Sequence, residues 1–437
     1  MARAIKTATK SLNDYRRVAG EDAIEEIRAL AAPFRGAEVL HINSTAYGGG
    51  VAEILYTIVP LMRDIGLAAT WTVIEAPPAF FDFTKALHNA LQGMAGQDLR
   101  PGLDTYLATN EREAACFSGS PDFVVVHDPQ PAPLASHLRD RFGPKTKWIW
   151  RCHIDLSSPA EEAWDLIRPF VERYDAAIFT MPAYAKEGLR VPRLAMIPPS
   201  IDPLSPKNVE MPVGTAREIV AGYGVDPSRP ILVQVSRFDP WKDPLGVIDA
   251  YRMVKREIPG VQLALVGSMA ADDPEGMAYY RMSVEHAAGD PNVHILSNLN
   301  GVGNADVNAF QTAADVVVQK SIREGFGLTV SEGLWKARPV VAGNVGGIPL
   351  QVQDGKSGFL VSSVEECAER ILYLLTNPEK SREMGLAGKE HVRRRFLSTR
   401  HLADYLTLFR ALASEPSRRI ESPPPGSLPC STVAPRL

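Results

Sequence analysis

The chain is poor in the features that would place it outside the large α/β enzymes. Its 437 residues hold four cysteines, Cys116, Cys152, Cys367 and Cys430, with neither the paired spacing of a zinc site nor the density of a disulfide scaffold. They read as free thiols, buried or at the surface. No apolar run approaches the ~18 residues of a membrane span, and residues 1–10 lack the apolar stretch of a signal peptide, so a cytoplasmic protein is expected. Charge is nearly balanced, 47 Lys and Arg against 51 Asp and Glu, and no basic stripe offers an electrostatic footprint for nucleic acid. No His, Cys or carboxylate cluster has metal-ligand spacing. Asp272 and Asp273, just before a proline, read as a turn or helix start rather than a metal site.

What is present is alternation of strand and helix. Apolar runs at 38–43, 70–75, 123–127, 147–151 and 176–180 read as strands separated by helical stretches, after a first helix near 21–31. A second series, at 231–235, 262–266, 293–296, 316–318 and 339–342, repeats the pattern. Between them, residues 198–212 are too rich in proline for a helix or central strand and read as an interdomain linker. A chain this long exceeds one ordinary core and suggests two domains of about 200 residues. The expectation is an α/β protein of two doubly wound, Rossmann-like sheets, residues 1–205 and 206–397. A further helix is expected near 398–413, and residues 414–437 are expected to form a flexible tail.

The chemistry concentrates at residues 321–332, Ser-Ile-Arg-Glu-Gly-Phe-Gly-Leu-Thr-Val-Ser-Glu, where Glu324 and Glu332 stand eight apart around a Gly-x-Gly turn. If Gly325 and Gly327 open a helix, its free N–H groups and dipole suit a diphosphate, with Glu332 roughly two turns inside. Such an arrangement can grip both ends of a nucleotide-sugar, hexose hydroxyls at Glu324 and ribose hydroxyls at Glu332; the spacing alone fits a helix cap plus a solvated glutamate equally. Arg237 and Lys242 sit on the loop leaving the strand at 231–235 and suit a leaving diphosphate without a metal ion. In the first half, Gly48, Gly49 and Gly50 follow the first strand and permit close backbone approach to phosphate or sugar, although Gly-x-Gly-x-x-Gly is absent there. His127-Asp128 ends the third strand, and Arg151-Cys-His-Ile-Asp155 ends the fourth. Composition alone does not rank His41, His127 and His153. Trp71, Trp148, Trp150 and the run Phe80 to Phe83 read as core or cleft wall.

The Glu-x7-Glu segment, preceded at the family's interval by Arg237 and Lys242, resembles the signature of retaining glycosyltransferases with the two-domain GT-B fold. Within glycosyltransferase family 4, the phrases at residues 41–55, 83–93 and 343–351 look like the trehalose glycosyltransferring synthases, and Leu350 fits that branch. The resemblance implies two Rossmann-like domains facing a central cleft, with the helix near 398–413 crossing back to the first domain. It implies transfer of glucose from a nucleoside-diphosphate glucose to free glucose, with no metal cofactor and no protein nucleophile. Arg237, Lys242 and Glu324 take the catalytic roles. The donor meets Gly49, Gly50, His153, Gly325, Phe326, Gly327 and Glu332, and Asp128 binds the acceptor. Relatives suggest a dimer. Two alternatives stand beside this, a configuration-retaining trehalose phosphorylase and a catalytically silent nucleotide-sugar sensor.

Overall fold

The computed structural model describes residues 2–47, 49–267 and 274–414. Among the described residues, thirteen strands make two sheets. The first holds β1 (Arg3–Ala4), β2 (Glu38–Asn43), β3 (Ala68–Val73), β4 (Phe123–His127), β5 (Lys147–Arg151), β6 (Ala176–Phe179) and β7 (Arg193–Met196), in the order β1-β3-β2-β4-β5-β6-β7. The second holds β8 (Ile231–Val235), β9 (Gln262–Gly267), β10 (Val293–Ser297), β11 (Val316–Gln319), β12 (Val340–Gly343) and β13 (Gly358–Val361), in the order β10-β9-β8-β11-β12-β13. All pairings are parallel except that of β1 with β3.

Both faces of each sheet are covered, which is why the central strands read as continuous apolar runs. In β4 every residue is buried. Phe123 and Val125 point to one core, Val124 and Val126 to the other, with the period of two that a strand imposes. The first of these cores is completed by the helix Ser398–Ala413. Its Leu402, Tyr405, Leu406 and Phe409 recur at helical spacing, and Phe409 stacks on Phe123 at 4.2 Å between ring centroids. Burying side chains of this size contributes roughly 1.5–3 kcal/mol each. The final helix therefore belongs to the first sheet, and a backbone bridge from Ile201 to Leu397 holds the linker beside its start.

Several strands differ from the sequence reading. β3 begins and ends two residues earlier than expected, because Glu38 to Asn43 of β2 pair in register with Ala68 to Val73 and Pro77 and Pro78 follow closely. β7 lies at the sheet edge and exposes alternate residues, Leu194 and Met196, so it lacks the apolar run of a central strand. β1 and β13 have only two and four residues. Asp272, Asp273, Gly48 and the segment 415–437 lie outside the described residues. No helix of the described residues is long and apolar enough to cross a membrane. Cys116 is exposed, and Cys152 and Cys367 are buried and free.

Candidate active site

The segment after β11 forms a turn and then a helix, Leu328–Trp335. Gly327 caps it at φ 83°, a left-handed conformation that favours glycine, and no side chain occupies the cap. The first N–H groups are thus left open to an anion. Glu332 is the fifth residue of this helix, nearer its start than the two turns the spacing suggested. Phe326 turns its ring into the core against Phe396 and its carbonyl accepts from Gln351 Nε2, so only its backbone N–H is left for a ligand.

Lys242 meets this turn from the neighbouring strand end. Asp239 caps the short helix Pro240–Lys242, and the Lys242 ammonium lies 2.5 Å from Glu324 Oε2, with both side chains mostly buried. Ser321 Oγ approaches the same carboxylate at 3.5 Å. Arg237 is placed differently: its side chain is 60% exposed and its guanidinium pairs with Asp239 at 3.1 Å, on the same loop but not on Glu324.

The first domain closes on this turn. A Cβ on Gly325 would stand 2.9 Å from the His153 carbonyl oxygen, and one on Gly50 would meet Leu328 Cδ1 at 2.9 Å. Gly49 only precedes the helix Gly50–Asp64, in extended backbone. The Tyr184 hydroxyl donates across the same boundary to the Gly325 carbonyl at 2.9 Å, with the Glu324 carbonyl at 3.2 Å. Asp128 holds φ 65°, and its Oδ1 accepts the His153 backbone N–H at 2.7 Å. Burial pushes the Asp128 carboxyl up to about 7, against the pull of that hydrogen bond and of Arg151. Burial, then the Arg151 charge, holds His153 well below the usual imidazole range.

Glu332 faces a cavity of about 320 Å³ between the helix Gly50–Asp64, the linker and its own helix. One oxygen lies 3.9 Å from the Lys207 ammonium, and the other, Oε2, is buried without a partner among the described residues. Lys207 also binds Glu53 at 2.6 Å. Burial would pull the Lys207 ammonium down, but Glu332 and Glu53 outweigh it and hold its pKa above the ordinary value. Burial lowers Lys336, the next basic group along the helix, to about 7.

Lys242, Glu324, Gly325, His153 and Asp128 therefore share one cleft, Gly50 lies at its helix start, and Glu332 sits one helical turn away. Tyr184 and Lys207 were not found from sequence. Tyr184 lies in an ordinary-looking stretch after β6, and Lys207 in the proline-rich linker, so only the fold brings them to the motif.

Residues 41–186 match the trehalose synthase N-terminal domain family, and residues 216–391 match glycosyl transferases group 1. The trehalose synthase of Rubrobacter xylanophilus is 52% identical over 415 residues, spanning 94% of this chain and 99% of the relative. That of Pyrococcus horikoshii is 48% identical over 405 residues, spanning 92% and 97%. Among solved structures, "Trehalose-6-phosphate from E. coli bound with UDP-2-fluoro glucose" is similar with a TM-score of 0.70 at 16% identity, covering 87% of this chain and 100% of that one. At that identity the likeness is one of fold, GT-B.

Proposed function

The chain belongs to the trehalose synthase family, and from that premise we propose that it moves glucose from a nucleoside-diphosphate glucose to free glucose, forming α,α-trehalose with retention of the α configuration. The supporting observation is the convergence in one cleft of the Lys242–Glu324 pair, the helix start after Gly327 that no side chain caps, and His153 with Asp128 from the facing domain.

In this reading the diphosphate lies at the start of Leu328–Trp335, where N–H groups and the helix dipole meet negative charge. Lys242 and Arg237 add positive charge, and no metal enters the scheme. Glu324 and His153 hold the hexose, Glu332 the ribose hydroxyls, and Asp128 the acceptor. The bond from the anomeric carbon to the diphosphate oxygen breaks while the 1-hydroxyl of glucose adds on the same face. Its proton passes to the departing diphosphate. The basic groups stabilise charge that grows on that oxygen, the electrostatic contribution that lowers the barrier. Glu324, already paired with Lys242, is a binding group here and not a nucleophile.

The test incubates the protein with separate nucleoside-diphosphate glucoses and free glucose, and in parallel with trehalose and phosphate, and identifies the sugars formed. Disaccharide from the first mixture supports the proposal. Glucose 1-phosphate from the second alone would make the protein a phosphorylase, and binding without turnover in all mixtures would make it a sensor.

A further inference from the structure

Three histidines from three different segments stand in a line behind the cleft. His41 Nδ1 lies 3.1 Å from His127 Nε2, and His127 Nδ1 lies 3.0 Å from His153 Nε2. The rings stack, with centroids 5.4 Å and 5.3 Å apart. His41 on β2 and His127 on β4 continue the face that carries Val39, Phe123 and Val125, under the helix Ser398–Ala413, and both are buried. His153, on the loop after β5, is half-buried beside Gly325.

A neutral imidazole has one N–H and one lone pair, so a chain of three neutral rings joined by two hydrogen bonds must be polarised in a single sense. The rings are held neutral by burial, and the fully buried Arg151 guanidinium adds to this at His127 and His153. The sense is decided at the far end, where His41 Nε2 is buried without a partner among the described residues. If each ring donates toward the cleft, that end is a bare lone pair. If each donates away from it, that end is an orphan N–H in an apolar core. Orphaned buried donors are the rarer case, and the Nε, Nη1 and Nη2 groups of Arg151 are already donors without a partner among the described residues. Donation toward the cleft leaves His153 Nε2 as an acceptor and places its N–H on Nδ1. That nitrogen has no hydrogen-bond partner among the described residues.

We propose that His41 and His127 are positioning residues that fix His153 in the tautomer with its proton on Nδ1, so that the bound hexose meets a hydrogen-bond donor at that point. This rests on the reading above that His153 contacts the donor sugar.

The test is ring-nitrogen NMR of the full chain with labelled histidine, His153 being assigned by its loss in His153→Gln. The expected spectrum is a neutral ring protonated on Nδ1. A ring protonated on Nε2, an imidazolium, or averaged tautomers would overturn the proposal. Two near-isosteric variants give the functional arm. In His127→Asn the amide can turn its nitrogen to the position of the donating Nδ1 and supply the donor to His153 Nε2, so turnover should stay within about threefold. His127→Asp places an acceptor there, should move the His153 proton to Nε2, and should lower kcat/KM for the donor at least tenfold, roughly the scale of a lost hydrogen bond with opposed lone pairs. Equal losses in two folded variants would reduce His127 to a packing residue and overturn the proposal. A wild-type Nδ1–H signal that no nucleoside-diphosphate sugar perturbs would leave the tautomer standing and remove His153 from the donor site.

Discussion

Removing the Lys242 ammonium tests the electrostatic account at its centre. The group lies 2.5 Å from Glu324 Oε2, and the two side chains are 15% and 11% exposed, so Lys242→Ala strips a charged hydrogen bond from a mostly enclosed carboxylate. The ground-state cost is roughly 1.5–3 kcal/mol, the worth of a hydrogen bond to a charged group. The transition state loses more, because the departing diphosphate carries more negative charge there than in the bound donor. Losing one preorganised donor at such a position costs about 10²–10³ in kcat, or ~2.7–4 kcal/mol. The assay is steady-state kinetics at saturating donor and glucose, with thermal unfolding to confirm the fold. Arg237→Ala should act in the same direction, by roughly 10² or more, once its exposed guanidinium turns from Asp239 to the ligand. Lys242→Arg should not restore full turnover, since a planar fork does not reproduce a compact ammonium wedged against one oxygen. Near-normal kcat in folded Lys242→Ala and Arg237→Ala would refute the reasoning. A change confined to KM would show that the charges bind donor and transition state alike.

The two carboxylates should separate in calorimetry: Glu332→Ala weakens binding of the free nucleoside diphosphate by roughly 1.5–3 kcal/mol, whereas Glu324→Ala depresses turnover at saturating donor. A larger loss of nucleotide affinity in Glu324→Ala would reverse the donor along the segment. Turnover should survive exhaustive chelation, and activity that disappears with chelator and returns with magnesium or manganese would show that the basic groups do not suffice. Asp128 has a folded-state pKa raised to about 7, so its contribution to stability is full below pH ~4 and is lost as pH rises through 7. Asp128→Asn should therefore flatten the fall in stability between these limits, by up to about 4 kcal/mol, and an unchanged slope in denaturant titrations at pH 4 to 8 would contradict the assignment.

Legibility in the sequence followed the range of the interactions. β2, β4, β5 and β8 were readable to the residue, because each is a short apolar run bounded by charge or turn residues and buried on both faces. β7 was not, since an edge strand with exposed Leu194 and Met196 carries no such run. At the site, Glu324, Gly327 and Glu332 were readable because turn and helix geometry ties them together over a few residues. The Lys242 contact spans 82 positions, and the Tyr184 contacts with Glu324 and Gly325 span 140 and 141. A charged loop announces the first of these, while a lone tyrosine announces nothing. The three histidines show the same limit. His41, His127 and His153 look equivalent in sequence, and only the register of β2, β4 and β5 puts two of them behind the third.

The central claim, direct and configuration-retaining transfer between a nucleoside-diphosphate glucose and free glucose, is tested most directly by following the anomeric carbons. A donor labelled at C1 of its glucose is mixed with unlabelled glucose, and the products are resolved by NMR as they form. The account predicts one labelled product, trehalose with both anomeric centres α, appearing in step with free nucleoside diphosphate. A β-linked product, or nucleoside diphosphate released together with labelled free glucose and no disaccharide, would contradict it.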